Sequence, residues 1–376
     1  MHRLREVLTS GLTGSPRPLY PGAVALVVRD GSPRPTVVVG DALRYADGDG
    51  TELPSHARVA MRDDTVFDVA SLTKLFSTTV LMTLVEEGLL DLDGPIADHL
   101  PSFGATDRRS VTLKHLLSHT SGLPDLLRLW IDWPDPEARR RAVLDVPLRS
   151  PTGTAFEYSD IGYIVAGVLA EQVSRRTLPE LVRERICRPL GLADTGYRLS
   201  ADRVARTAAT EFQPDAGRGM VRGTVHDENS WSLGGTVGSA GIFSTAADLA
   251  RFGETLRRGG ELDGARILRD ATVAEMCRNQ LPEGIDPGFQ HGLGFRIGDP
   301  TFMGPLAASG AVGHTGFTGT SLVIDAARRL VVVLLTNRVH PSRTWSDIGA
   351  VRRRVAEIAA ADDGPLNSPA PGERPA

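Results

Sequence analysis

Lysine is almost missing from this chain. Of its 42 basic residues only Lys74 and Lys114 are lysines; all the others are arginine. Cysteine is nearly as scarce. Cys187 and Cys277 stand alone in helical-looking contexts, so one disulfide at most is open to the chain and buried free thiols are the expectation. No Cys/His cluster has zinc spacing, and neither metal nor cofactor is expected. Val24–Val28 is apolar but far shorter than the ~20 residues needed to span a bilayer. The opening residues 1–8 are amphipathic and lack the apolar core and small-residue cleavage site of a secretory signal, so a cytoplasmic protein is expected. Excess positive charge is missing too: the formal net charge is −4 and the pI about 6.2. That argues against nucleic acid and anionic membranes as partners. No serine sits in a G-x-S-x-G turn, which speaks against an α/β-hydrolase. Gly234–Gly238 lacks the lysine and strand–helix setting of a phosphate loop.

What is present suffices for one large domain or two intimate ones. The 376 residues are 41% hydrophobic and 23% charged, ordinary globular values. Residues 22–29 and 36–43 read as strands around a turn at Asp30–Pro33. A helix is predicted from Ser71 to Glu87, with Gly88 as its stop. Short helices follow at 113–117, 161–173 and 179–186, where apolar residues recur at helical spacing. Residues 212–236 read as a long ordered loop, and Thr245-x-x-Asp248 as a capping pair for a helix to about Arg257. Strands are predicted at 291–297, 311–315, 319–325 and 330–336, and a closing helix at 342–361. The Pro-rich stretch 362–376 is expected to be a disordered tail. The expected organisation is a helical lead-in over 1–19, one domain over 20–361, and that tail. The predicted class is α/β (α+β): an antiparallel sheet built from both ends of the sequence and flanked by helices, with an inserted, mainly helical subdomain.

Three short motifs carry chemistry. Lys74 lies three residues after Ser71 in Ser71-Leu72-Thr73-Lys74, so one helix face presents an amine beside a hydroxyl. Arginine cannot lose its proton in a protein and lysine can, which gives a reason to keep lysine here. A serine nucleophile is thereby activated without histidine. The alternative is a helix start followed by a surface lysine, but Leu72, Leu75 and Phe76 crowd that position. The second motif, Tyr158-Ser159-Asp160, precedes a helix. Its tyrosine suits proton transfer, and its other reading is a helix cap with a packed tyrosine. The third, His314-Thr315-Gly316, sits in a strand-like segment whose glycines allow close approach by a ligand. A strand-end turn with a surface histidine is its other reading.

Taken together and in this order, the motifs resemble those of the serine β-lactamase and penicillin-binding protein superfamily: S-x-x-K, a Tyr- or Ser-x-Asn element, and a K/H-T-G strand. The tyrosine and the histidine look most like the class C β-lactamase branch and its relatives, among them family VIII carboxylesterases, D-aminopeptidases, D-Ala-D-Ala carboxypeptidases and acyltransferases. Residues 116–123, 189–192 and 241–245 support the likeness, which spans roughly residues 20–360. The resemblance implies that Ser71 is the nucleophile, Lys74 its base partner, and Tyr158 the residue that protonates the leaving group. It implies substrate-binding roles for Asp160, His314, Thr315, Gly316 and Phe317, with the N–H groups of Ser71 and Phe317 forming an oxyanion hole.

The chain departs from the pattern in places. Asp160 replaces an asparagine that donates to a substrate amide, and an ionised Asp only accepts. Ser239 stands where relatives often carry histidine. His314 offers no fixed cation for a substrate carboxylate; Arg338 is a candidate for that charge, with a surface role as its default. His119 and His226 are read as structural. The expected substrate is a small-molecule ester or amide, esters foremost, with a β-lactam, a D-Ala-D-Ala peptide or an acyl acceptor as alternatives. A non-catalytic penicillin sensor or scaffold is the alternative outside enzymes.

Overall fold

The computed structural model describes residues 1–14, 16–103 and 107–361; the tail expectation lies outside them. Among these residues, nine strands form one antiparallel sheet. Its order is 290–291, 296–297, 312–316, 320–325, 330–336, 22–29, 37–43, 59–60, with 32–33 paired to 22–29. The sheet is thus built from both ends of the sequence. Gly22–Arg29 lies in its middle between Leu330–Thr336 and Val37–Leu43, with Leu26 opposite Val333.

That central strand is apolar throughout because both faces are covered. Ala23, Ala25 and Val27 join a core with Leu4, Leu8, Val332, Leu334, Val351 and Val355, so the helices His2–Gly11 and Gly349–Ala361 cover one face. Val24, Leu26 and Val28 alternate to the other face and join Val331, Val333, Leu335, Leu249 and Phe252. The helix Ala246–Arg257 lies there, and behind it the helix Thr73–Glu86. In Thr73–Glu86 every residue from Thr73 to Leu84 is buried. The helix is covered on every side, its Ser77, Thr78, Thr79 and Thr83 hydroxyls are paired inside, and its position places Lys74 in the interior.

Several expected boundaries move. Residues 291–297 are not one strand but a hairpin of Gln290–His291 and Arg296–Ile297. Between them the Leu293 and Gly294 N–H groups donate to Met276 and Leu117, and Gly294 takes a φ of +79° that a side chain would resist. The closing helix starts at Gly349 rather than Ser342. Arg343 and Ser346 are held first by Glu211 and the Leu19 carbonyl. The 179–186 helix ends early, at Val182, and continues as a π-helical turn over Arg183–Cys187. The long loop contains a small ribbon, 212–213 with 219–220, and the short helix Glu228–Ser232. The capping pair at 245–248 is half made. Thr245 accepts from the Asp248 N–H, but the Asp248 carboxylate turns to Asp194 and Thr195. Both cysteines are free thiols, as expected. Among the described residues, no helix is long and apolar enough to cross a membrane.

Candidate active site

The segment entering Ser71 is strained and clamped. Ala70 has φ +47°, and its N–H donates to Asp68 Oδ1 at 2.8 Å. A non-glycine residue in that region costs on the order of 1–3 kcal/mol and persists only where its surroundings impose it. Here they do. Thr318 Oγ1 donates to the Asp68 carbonyl at 2.7 Å, and Thr320 Oγ1 to the Val69 carbonyl at 3.0 Å. The Asp68 carboxylate also accepts the His226 N–H at 2.6 Å. Gly316 explains the third motif's glycine. A Cβ there would lie 2.4 Å from the Val69 oxygen, so only glycine lets the strand edge come this close to the Ser71 turn.

Ser71 sits in a single helical turn, Ala70–Leu72, that leads into Thr73–Glu86. One turn on, Lys74 is fully buried with its Nζ saturated. It donates to Ser71 Oγ at 3.1 Å, Asp160 Oδ1 at 2.6 Å and the Ser239 carbonyl at 3.2 Å. Burial by itself pulls the pKa of this amine down. The Asp160 carboxylate and then Tyr158 outweigh it, and the pKa is held above that of free lysine. The resting group is therefore an ammonium, and the neutral base suggested by the Ser-x-x-Lys spacing does not describe the resting site. The contact also gives Ser239 a role that the sequence left blank: its backbone carbonyl holds Lys74.

Asp160 is the first residue of the helix Asp160–Ser174, and Ser159 caps that helix by accepting the Gly162 N–H at 2.9 Å. The cap fixes Tyr158 just outside the helix, with its ring 4.8 Å from Lys74 Nζ. His119 and His314 flank that ring at centroid distances of 4.4 and 5.9 Å. His314 is 1% exposed. Burial first, then the charges of Arg296 and Lys74, push its pKa well below the ordinary value, so it is neutral. It supports Tyr158 from behind rather than facing solvent, and Thr315 is half-buried beside it. His119 is structural, as expected: its Nδ1 accepts the Ser159 N–H at 2.9 Å.

A cleft of about 390 Å³ opens on Ser71. Tyr158, Asp160 and Phe317 line it; His314, Thr315 and Gly316 do not. Its remaining wall was not anticipated: Leu126–Arg128, Trp130 and Ile131 on one side, His226–Asn229 and Arg343 on the other. The signal was an apolar run, 126–131, with no strand or long helix to bury it. Leu126, Ile131 and Phe317 are three of the five large hydrophobic side chains left exposed among the described residues, and all three face this cleft. Exposed apolar side chains gathered in one place mark a binding surface. Arg338, the candidate cation, stacks over Phe317 at 4.7 Å and donates to the Ser346 carbonyl at 2.8 Å. Arg343 is neutralised by Glu211 and Glu228. Asp227 caps the helix Glu228–Ser232; burial and the nearby Asp160 charge raise its pKa.

The chain belongs to the Beta-lactamase family, whose model matches residues 16–357. It is a serine hydrolase of the β-lactamase and penicillin-binding protein superfamily, and the motif resemblance holds over most of its length. It is 30% identical over 362 residues to a putative D-alanyl-D-alanine carboxypeptidase of Escherichia coli (strain K12), covering 85% of this chain and 79% of that protein. Among solved structures it is similar to EstCE1, described as a hydrolase with promiscuous acyltransferase activity, at TM-score 0.72 and 24% identity over 94% of this chain and 97% of that one. It is similar also to a family VIII carboxylesterase, at TM-score 0.69 and 23% identity over 95% and 97%. At those identities the likeness speaks for the fold.

Proposed function

We propose that the chain is a carboxylesterase that cleaves small esters through an acyl-enzyme on Ser71. Ser71 Oγ attacks the ester carbonyl. The Ser71 proton passes into the Lys74–Tyr158 pair, Lys74 handing on one proton as it takes up another, and Tyr158 delivers a proton to the alcohol oxygen as the ester C–O bond breaks; water then hydrolyses the acyl-enzyme by the reverse route and returns the proton to Ser71. The N–H groups of Ser71 and Phe317 take the oxyanion, and the exposed apolar side chains of the cleft take the acyl group.

One observation carries the preference for esters: the Asp160 carboxylate is tied to Lys74 at 2.6 Å. That position offers only an acceptor, so a bound amide carbonyl would meet oxygen where it needs a donor. A mismatch of that kind costs about 1–3 kcal/mol, roughly ten- to a hundredfold in rate. A substrate carboxylate would also meet Asp160 and Asp227, while Glu228 is already paired with Arg343. The test is kcat/KM for an aryl butyrate against a chromogenic cephalosporin, with the ester expected to lead by a hundredfold or so; equal turnover would favour a β-lactamase. The name of the Escherichia coli relative supports a second reading, a D-Ala-D-Ala carboxypeptidase, which release of D-alanine from a D-Ala-D-Ala peptide would reveal.

A further inference from the structure

Behind Tyr158 lies a group of buried nitrogens that the protein itself does not satisfy. His119 Nε2, His291 Nε2, His314 Nε2 and Arg296 Nε are hidden from solvent and have no hydrogen-bond partner among the described residues. They come from three separate stretches of chain and gather about the Tyr158 ring, which His119 and His314 approach at 4.4 and 5.9 Å while His291 packs on His119. The His119 and His291 ring centroids are 5.1 Å apart, and the Arg296 guanidinium lies 5.7 Å from the Tyr158 ring centre. His119, His291 and His314 are each at most 1% exposed. Buried polar atoms in native proteins are almost always paired, by protein or by ordered water.

The second nitrogen of each ring fixes what the unpaired one is. His119 Nδ1 accepts a backbone N–H from Ser159, so the proton of the neutral ring sits on Nε2. His291 Nδ1 faces the Gly292 carbonyl at 2.7 Å and His314 Nδ1 the Thr315 carbonyl at 2.8 Å. A carbonyl only accepts, so these two rings carry their protons on Nδ1 and leave Nε2 as a bare acceptor. All three rings are held neutral by burial. The cluster therefore presents two donors, His119 Nε2–H and Arg296 Nε–H, and two acceptors, His291 Nε2 and His314 Nε2. A metal ion does not suit it, because one imidazole points a proton inward and a guanidinium stands beside it. An anion does not suit it, because two lone pairs face in. Water, with two hydrogens and two lone pairs, is the complement.

We propose that His119, His291, His314 and Arg296 bind an ordered internal water, and that this water-centred node locks the Tyr158 ring in its position beside Lys74. The histidines are then positioning residues for proton transfer. The water site stands on the four nitrogens alone; its consequence for turnover rests on the proposed role of Tyr158. Strain at the node agrees with this. His119 is held at φ +58°, and such residues persist where the surroundings impose them.

A high-resolution crystal structure of the full chain should show a water within hydrogen-bond distance of all four nitrogens. Nitrogen-15 NMR of the imidazoles at pH 7 should find His119 as the Nε2–H tautomer and His291 and His314 as Nδ1–H. No water there, or His291 protonated on Nε2, would overturn the site. For the positioning role, His291→Leu should lower kcat on an aryl ester roughly ten- to a hundredfold with KM little changed. His291→Gln, which restores an acceptor, should recover most of that loss. If the water is present and the Leu variant keeps its kcat, the positioning role is wrong. If the Leu variant does not fold, kcat for His314→Gln against His314→Leu decides it. Unimpaired turnover by Tyr158→Phe would remove the Tyr158 reading and leave the water site standing.

Discussion

Lys74 and the three histidines behind Tyr158 are buried equally well, yet they hold opposite charge states. Lys74 touches a carboxylate and keeps its proton; the histidines touch backbone carbonyls, a backbone N–H and one another's neighbours, and stay neutral. The difference is a single ionised partner, Asp160. Burial sets the penalty for charge everywhere in this site, and one carboxylate decides where a charge is tolerated. Ser71, the proposed nucleophile, is thereby placed on the charged side, with Tyr158 as the boundary between the two.

The largest effect should come from removing the atom at the centre of this contrast. Ser71→Ala should abolish covalent labelling by a fluorophosphonate, read by intact mass, and lower kcat by roughly 10⁴-fold or more. An adduct that persists in this variant would move the nucleophile elsewhere. Next comes the charge itself. Lys74→Arg keeps a cation but cannot release a proton or fit the saturated site, so it should lose about 10²- to 10⁴-fold, nearly as much as Lys74→Ala. Recovery of most of the rate by arginine would mean that Lys74 supplies charge alone.

Asp160→Asn tests the comparison at its source. It removes the partner that keeps Lys74 protonated, and it places an amide donor at position 160, where the carboxylate only accepts. The ester rate should fall roughly ten- to a hundredfold, while the ratio of cephalosporin to ester turnover rises. An unchanged ratio would show that position 160 does not set substrate choice.

Another buried, neutral histidine, outside this site, gives a smaller signature. His340, far along the chain, accepts the N–H groups of Arg44 and Tyr45 at 3.0 and 3.1 Å, and burial lowers its pKa to about 4. An unfolded histidine titrates near 6.5. Between these values the unfolded chain binds the proton and the native chain refuses it. The contribution is therefore intact above about pH 6.5 and is lost progressively as pH falls toward 4. Glu211, beside His226 and Arg343, is held down to about 2, so its contribution fails only in a separate, more acid window, from the usual glutamate range downward. Thermal melts of wild type and His340→Gln across pH 4–8 should differ most above pH 6.5 and converge below. A constant difference would mean that His340 does not carry this linkage.

How much of this was legible depended on distance along the chain. Ser71 and Lys74 share one helical turn, so spacing alone sufficed to pair them. Tyr158 and the 312–316 strand were legible only as a series of motifs in the right order. The histidine cluster was not, because His119, His291 and His314 come together only after the sheet closes; His119 and His291 look ordinary in their own segments, and His314 read as a substrate-binding residue rather than a partner of the other two. Arg343 was missed for the same reason: its carboxylate partners lie more than a hundred residues away. Local signals also misled where a tertiary contact competed with them. The Thr245–Asp248 pair looked like a mutual cap, but Asp194 and Thr195 claim the carboxylate. The 291–297 stretch looked like one strand, but the carbonyls of Leu117 and Met276 take its central N–H groups.

The position of Gly22–Arg29 in the middle of the sheet bears on how the protein is made. This apolar strand leaves the ribosome first among the sheet's elements, yet its partner Leu330–Thr336 follows some three hundred residues later. At a synthesis rate of about 5–20 residues per second, the strand waits for tens of seconds with one edge unpaired. During that interval it can pair with Val37–Leu43 but not with its other neighbour. The nascent chain therefore spends its synthesis with a sticky, half-completed sheet, a state that holdase chaperones recognise and that crowded expression turns into aggregate.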